Sequence, residues 1–474
     1  MSETKTGFGI ASAFFSYIVV GLILLLQYRL SFSMKETELF VVLMTAYIWM
    51  GALLVYAKFR FNLNIFEPIT FVSALYLAIF VLKPIADLSG SGLYAHGKNV
   101  LDGGVKATLI MLLSYTALYI SYYGKQYNFK WTSSKNGRCV GNYTDTHSRP
   151  VVLNNTVFLY VVWCVSFIFC IICMLSQGVT IRYLFSFGNQ GEKVVDESNT
   201  ALLFLSNFGI TLITAWLLII IKSRRKLIKL LLTVLTIEYL LMRNGRWLIL
   251  VMILAPVTYY YLHKRKKPNM IVVAGGAVIM LMIFAWMQVN RATLAAGGAM
   301  QGWGDEGLTL EILLSPLESD LGTYKTFYAM VMNYPSLHEY MLGTTFLYTV
   351  VMFVPRAIWQ GKPDNPVRDM IQNSLGMSAR ESGTAVANIG EMYANFGIVG
   401  CVVLMVILGK AMLFMKKSLM VQSDDRLIMY ALLYPLQFQW IARGNFSGNF
   451  YMTIFALLPF IIEKMFKVCK WGKV

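Results

Sequence analysis

Long apolar runs alternate with short polar gaps along most of the chain. About eleven or twelve runs are long enough to cross a bilayer core, near residues 8–27, 39–57, 65–82, 105–123, 153–175, 200–221, 227–241, 247–262, 270–289, 392–414, 428–442 and 448–463. About 20 residues of helix cover the hydrocarbon thickness, and at such lengths a helix satisfies its own backbone hydrogen bonds away from water. The run 341–354 is short for a span and reads as re-entrant or interfacial. The segment 180–195 alternates like a helix lying on the outer leaflet, with Arg182 reaching a headgroup or snorkelling. The pattern predicts an all-α polytopic membrane protein of about 11–12 transmembrane helices with one large extracytoplasmic loop. It divides into transmembrane helices over 1–289, the loop over 290–391, and C-terminal helices with a basic cytoplasmic tail over 392–474.

Composition agrees. Of 474 residues, 57% are apolar and 14% charged, against about one quarter charged in soluble domains. No small-residue cleavage site follows the first apolar run, so it reads as a span and not a signal peptide. Six cysteines give no disulfide framework. The C-x-x-C at Cys170 and Cys173 lies in an apolar run without a nearby histidine and reads as small hydrophobes in a helix. No H-E-x-x-H, D-x-D, P-loop or G-x-G-x-x-G pattern occurs. The expectation is therefore no metal, no cofactor, and no use of a nucleotide sugar or ATP.

Charge orients the chain. The segments 222–229 ("KSRRKLIK") and 263–268 ("HKRKKP"), the stretch 124–152 and the tail are strongly basic. Placing all of them in the cytoplasm puts both termini inside. The inner segments then hold 18 Lys and 7 Arg of the 41 bases, and the outer ones 7 Lys and 9 Arg. The net charge of +17 thus reflects topology and anionic lipid, not nucleic acid. Any cation serves for orientation. An outer set rich in arginine fits planar recognition of phosphate or carboxylate, with pairing to the ten acids of the outer loop as the structural alternative for each one.

Three stretches carry candidate chemistry. In "MRNGRW" (242–247), Asn-Gly forms a turn with Arg243 and Arg246 on either side, and Glu238 precedes it inside a span. A Glu238–arginine pair locking the turn and a free arginine for ligand both fit. In "FVPRAIWQGKPDNP" (353–366), three prolines fix a shaped loop around Arg356, Trp359 and Lys362. Trp359 is an interfacial anchor or a platform for a sugar ring. In "GTAVANIGEMYANFGIVG" (383–400), read as a helix, Gly383, Ala387, Gly390, Ala394 and Gly397 make a small-residue stripe for close helix approach. Thr384, Asn388, Glu391 and Asn395 form a polar stripe beside it that must face a cavity or a partner. Glu391 is the best-placed carboxylate of the chain, with Tyr393 nearby. His338 stands alone in the outer loop and reads as solvated.

The stretches "VPRAIWQGKP" (354–363) and "GEMYANFGIVG" (390–400), in a chain with many spans and a large late outer loop, resemble the Wzy-type oligosaccharide repeat-unit polymerases of bacterial O-antigen and capsule. The resemblance implies a glycosyltransferase of the bacterial cytoplasmic membrane. Its donor and acceptor would be undecaprenyl-diphosphate-linked oligosaccharides, joined at the outer face as the lipid diphosphate leaves, and a chain-length regulator protein would be a further partner. Glu391, Arg356 and Arg243 would then be catalytic. Arg246, Arg291, Arg380, Arg443, Lys362, Asn388, Trp359 and Tyr393 would bind substrate, and Trp303 and Tyr324 could stack on sugars. Arginines at span ends suit a leaving diphosphate, and Glu391 suits an acceptor's proton. A ligase moving glycan onto a lipid core shares this plan. A flippase is the rival of another class, but the chain shows no internal repeat of the kind carriers use.

Overall fold

The computed structural model describes residues 18–19, 21–22, 32–90, 92–124, 156–176, 205–243, 246–266, 268–295, 309–352, 354, 358–376, 385–420 and 424–471. The elements in chain order are α1 (Met34–Phe61), α2 (Pro68–Ser89), a two-strand hairpin β1 (Tyr94–Ala95) and β2 (Lys98–Asn99), α3 (Leu101–Tyr123), α4 (Thr156–Ser176), α5 (Phe208–Lys222), α6 (Lys226–Arg243), α7 (Arg246–Lys264) and α8 (Met270–Ala295). Then come α9 (Leu310–Leu321), α10 (Thr323–Asn333), α11 (Thr344–Val351), α12 (Pro366–Leu375), α13 (Ala387–Leu419), α14 (Asp424–Phe438) and α15 (Phe446–Trp471). The protein is an all-α polytopic membrane protein. Among the described residues eight helices are long and apolar enough to span, namely α1 to α4, α7, α8, α13 and α15, and α5 is a shorter apolar helix. The expected first span and the expected interfacial helix at 180–195 lie, almost wholly and wholly, outside the described residues.

The helices sort into two packed groups. Buried residues of α1, α2, α3, α10 and α13 make one apolar core, and those of α4, α5, α7, α14 and α15 make the other. Small residues set the closest approaches. A side chain at Gly409 of α13 would meet the Leu118 carbonyl of α3 at 2.7 Å, so only glycine lets the two backbones lie this near. The small face expected over 383–400 receives α10 at Gly390, which abuts Met330 and Phe327, but the single helix expected there breaks at Gly397 (φ +65°), where the chain folds back and brings Asn388 within 3.9 Å of the Met405 sulfur.

Polar contacts gather at the two ends of the bundle. At one end Glu67 accepts from Lys416 (2.6 Å) and the Tyr122 hydroxyl (3.0 Å), Lys222 pairs with Asp425, and His263 faces Asp424 at 3.4 Å. The opposite end is covered by α9 to α12, which come from the segment expected as one loop. There Asp87, at the end of α2, accepts from Lys83 (2.7 Å), Lys325 (3.0 Å) and the Tyr324 hydroxyl (2.5 Å). Burial, then the charge of Asp87, holds the Tyr324 phenol far above its usual pKa range, so it stays a donor. Two π-helical turns, Ala78–Leu82 within α2 and Gln439–Arg443 after α14, each lead directly to a cation at this end, Lys83 and Arg443. In the first, Lys83 donates its N–H five residues back to Ala78, and Pro84 follows with no N–H to donate.

Asp87 is the ion that holds α10 to α2, and its side chain is 5% exposed. Asp87→Ala strands two ammonium groups beside each other, and its cost is expected at about 3–5 kcal/mol. Lys35→Ala breaks an ion pair whose partners are both more than half exposed, with an expected cost within about 1 kcal/mol. Thermal unfolding of both variants in detergent checks the contrast, and equal shifts would refute it.

Candidate functional site

The site is built where α14 turns into α15. The helix α14 carries Pro435 and relaxes into the π turn Gln439–Arg443. Gly444 (φ +61°) and Asn445 (φ +60°) then take two successive left-handed steps. A side chain at Gly444 would meet the Ala387 carbonyl at 2.7 Å, so glycine is required both for its φ and for its neighbour. Asn449 closes the turn by donating to the carbonyls of Gln439 and Gly444.

Helix α15 begins at Phe446 with N–H groups that have no partner inside the helix. Glu391 of α13, 3% exposed, supplies one. Its two oxygens accept from the Phe446 N–H at 2.9 and 3.1 Å, and the Asn445 N–H and the Thr345 hydroxyl are directed at the same carboxylate. Thr345 is itself held by Asn395, whose amide donates to the Thr345 hydroxyl (2.9 Å) and to the Glu391 carbonyl (2.7 Å), while its carbonyl accepts from Gly343 N–H (3.0 Å). The third member of the polar stripe, Asn388, accepts from the Tyr76 hydroxyl at 2.9 Å. The stripe therefore joins α13 to three partners: α2, the start of α11 and the start of α15. Glu391 and Asn388 also line a mainly apolar slot between α13, α14 and α15, of about 340 Å³.

The turn that Glu391 fixes presents Arg443. Its guanidinium donates to Asp320 at 2.5 Å. Arg246, the first residue of α7, reaches the same carboxylate oxygen at 3.9 Å and donates to Gln288 of α8 at 2.5 Å. Gln288 in turn donates to the Ser315 carbonyl of α9 at 3.5 Å. Two guanidiniums from different helices thus converge on one carboxylate. Arg443 is 34% exposed on its side chain, Arg246 14% and Asp320 15%. The group carries a net charge of +1 and has one open edge, an arrangement suited to an anion that replaces or joins the Asp320 carboxylate.

The other sequence candidates divide. Arg243 engages a different set, donating to the Ser206 carbonyl (2.7 Å) and lying 3.2 Å from the Tyr239 hydroxyl. It fits against Gly209, where an added carbon would lie 2.6 Å from the guanidinium. Glu238 forms no ion pair with either Arg243 or Arg246 among the described residues. Lys362 is buried and donates to the carbonyls of Met352 and Val354, both at 3.0 Å, closing its own loop. Tyr393 is buried and donates to the Tyr334 carbonyl at 3.1 Å. Trp359 is exposed. Arg356 and Arg380 lie outside the described residues, and Arg291 is described only by its place near the end of α8. Sequence reasoning counted Asp320 and Lys325 among the outer-loop charges without singling them out for this role, missed Asp87 and Lys83, and offered Tyr324 as a sugar-stacking ring, whereas it is fully buried with its hydroxyl on Asp87. The one available signal was the excess of acids over bases in 289–391, which shows that some acids there need cations from elsewhere. Among the described residues no group of His, Cys, Asp and Glu is arranged to hold a metal.

A family model described as O-antigen polysaccharide polymerase Wzy matches residues 12–470. No curated protein and no solved structure matches the chain.

If the two guanidiniums form an anion site, removing Asp320 exposes it. Asp320→Ala is expected to lower the melting temperature, because like charges then face each other unpaired. Millimolar inorganic pyrophosphate is expected to restore it. The double variant Asp320→Ala/Arg443→Ala is expected to lose that restoration. Thermal unfolding with and without pyrophosphate checks this, and restoration of both variants alike would move the site elsewhere.

Proposed function

The chain belongs to the O-antigen polysaccharide polymerase Wzy family, and on that premise we propose that Arg246 and Arg443 hold the diphosphate of a lipid-linked repeat unit while it is displaced from its sugar. The family acts on lipid-linked oligosaccharide repeat units in a membrane. The carrier in this reading is undecaprenyl diphosphate, and the membrane is the bacterial cytoplasmic membrane. The end that carries Arg246 and Arg443 is its outer face, and both termini are cytoplasmic. The side assignment rests on charge: the lysine-rich segments 222–229 and 263–268, with Lys416 and Lys417, belong to the opposite end. A chain-length regulator is the protein partner this reading adds.

The reaction is glycosyl transfer. An acceptor hydroxyl forms a new bond to the anomeric carbon of the donor, the bond from that carbon to the diphosphate oxygen breaks, and the electron pair leaves with the diphosphate. The hydroxyl proton passes to a base or to water. Negative charge grows on the leaving oxygens, so fixed guanidiniums bind the transition state more tightly than the ground state. Arg291, Arg356 and Arg380 belong to the same face by sequence and complete the cationic rim in this proposal. Trp359 is exposed and in this reading stacks on a sugar.

Glu391 takes a different role from the one its sequence implies. Its carboxylate is engaged by the Phe446 N–H at the start of α15 and acts as the anchor of the turn that aims Arg443. It is a positioning residue in this reading, as are Asn388, Asn395 and Arg243, and Tyr393 and Lys362 support the surrounding backbone. The single observation that carries the proposal is the convergence of Arg246 and Arg443 on Asp320 at a partly open edge.

The test uses purified protein in vesicles with undecaprenyl-diphosphate-linked repeat units. The wild type is expected to produce a polymer ladder and release undecaprenyl diphosphate. Arg246→Ala and Arg443→Ala are each expected to lower kcat about 10²–10³-fold, the effect of losing one transition-state donor. Arg443→Lys is expected to recover little of that loss, because an ammonium lacks the planar fork. Glu391→Asp is expected to retain more activity than Glu391→Ala, in parallel with thermal stability. Substrate that only crosses the bilayer unchanged, or glycan moved only onto a lipid core, would overturn the reading.

A further inference from the structure

A cleft of about 630 Å³ lies between α1 and α3 and shares no lining residue with the arginine site. Its mouth is at the end covered by α9 to α12, because α3 starts there, directly after the hairpin that follows α2. Lys35 and Glu38 reach the mouth from the start of α1, and Asp102 and Lys106 from the start of α3. The four charges cancel. Lys35 and Asp102 pair with each other at 2.7 Å. Glu38 and Lys106 are exposed and form no hydrogen bond or ion pair among the described residues. A carboxylate one turn inside a span needs a partner at the head-group level. Below the mouth, Val105, Leu109 and Leu113 make one stripe of α3 at four-residue spacing, and Ile398, directly after the break in α13, lines the cleft with them. Leu109 and Leu113 are exposed. From Asp102 to Leu113 the unbroken helix α3 takes 11 residue steps, or about 16 Å at ~1.5 Å per residue. That is the depth of one leaflet, half of a hydrocarbon core of ~30 Å.

We propose that this cleft binds one phospholipid whose head group carries both a phosphate and a primary ammonium, as phosphatidylethanolamine does. The site goes beyond the polymerase reading and does not depend on it. Charge and depth together select the occupant. The Lys106 ammonium donates to the lipid phosphate, and the Glu38 carboxylate accepts from the lipid ammonium, both as charge-assisted hydrogen bonds. An anionic phospholipid satisfies Lys106 but sets a like charge against Glu38. A quaternary ammonium has no N–H to donate to Glu38. The apolar stripe below the charges takes one acyl chain and ends where the leaflet ends. The bound lipid touches α1, α3 and α13 at once, and so braces the place where α13 returns after Gly397.

The experiment places a photoreactive p-benzoylphenylalanine at Leu109, or at the exposed Ile279 of α8 as control, in full-length protein in phosphatidylglycerol vesicles. The probe is radiolabelled phosphatidylethanolamine at rising mole fraction. Labelling at 109 is expected to reach half-saturation near a mole fraction of about 0.1, the roughly ten-fold preference that one charge-assisted hydrogen bond gives. Labelling at 279 is expected to rise in proportion to the mole fraction. Unlabelled phosphatidylethanolamine is expected to displace the label at 109, and the same amount of phosphatidylcholine is not. Glu38→Gln is expected to lose the preference, and Glu38→Lys to reverse it in favour of phosphatidylglycerol, because two ammonium groups then face the head group. Proportional labelling at 109 in the wild type, equal displacement by phosphatidylcholine, or a preference that survives both Glu38 variants overturns the proposal and leaves an ordinary lipid-facing groove. Displacement of the label at 109 by a trace of undecaprenyl diphosphate would assign the cleft to the carrier and overturn it as well.

Discussion

A helix that begins inside a membrane protein presents N–H groups which lipid cannot satisfy. In this chain the start of α15 meets that constraint with Glu391, and the rest of the site follows from it. The carboxylate must be buried, must come from a neighbouring helix, and must sit where the chain can reverse within a few residues. Gly444 and Asn445 make the reversal in left-handed conformations. The π turn before them gives the extra residue needed to rotate Arg443 toward α9. A single buried acid therefore fixes three things together: the end of α14, the start of α15 and the direction of a guanidinium.

The spans, the two-ended distribution of charge and the close packing of α13 were legible in the sequence because each depends on local pattern. Twenty apolar residues mean a helix in lipid whatever surrounds them, and small residues spaced by three and four mean a close neighbour. The partners of the polar stripe were not legible. Thr384, Asn388, Glu391 and Asn395 read as one face, and one face suggested one cavity. The described members instead address α2, α11 and α15 separately, because three elements crowd the mouth of α13 at different heights. Arg243 and Arg246 flank one turn and look equivalent, yet a helix end and a helix start point their side chains apart. Gly209 opens a niche for the first, and α9 brings Asp320 to the second. Such choices depend on residues more than thirty positions away, and no local pattern encodes them.

Lysine and arginine are used differently at the end covered by α9 to α12, and the difference separates structure from function. Asp87 and Asp320 each bridge two cations. Asp87 has two lysines and a tyrosine hydroxyl, is 5% exposed, and spends both oxygens on its partners. An incoming anion would have to compete with a buried, three-donor site and would break the contact between α2 and α10. That pair belongs to the scaffold.

Asp320 has two arginines on one oxygen, at 2.5 and 3.9 Å. Neither contact to Asp320 is a bidentate fork, so the carboxylate holds each guanidinium through one and the same oxygen. Arg443 is the more exposed of the two, and the longer contact, to Arg246, is weak as an ion pair. A diphosphate offers more oxygens and more charge than one carboxylate, and both arginines can engage it without leaving their helices. In the proposed function the carboxylate keeps two like charges close together until the diphosphate replaces it. Preorganisation of that kind is what a leaving diphosphate requires, since donors already aimed at the developing charge need no rearrangement as the bond breaks. The Asp87 cluster ties α10 to α2, and in the proposed function the Asp320 cluster is the place where an anion is exchanged.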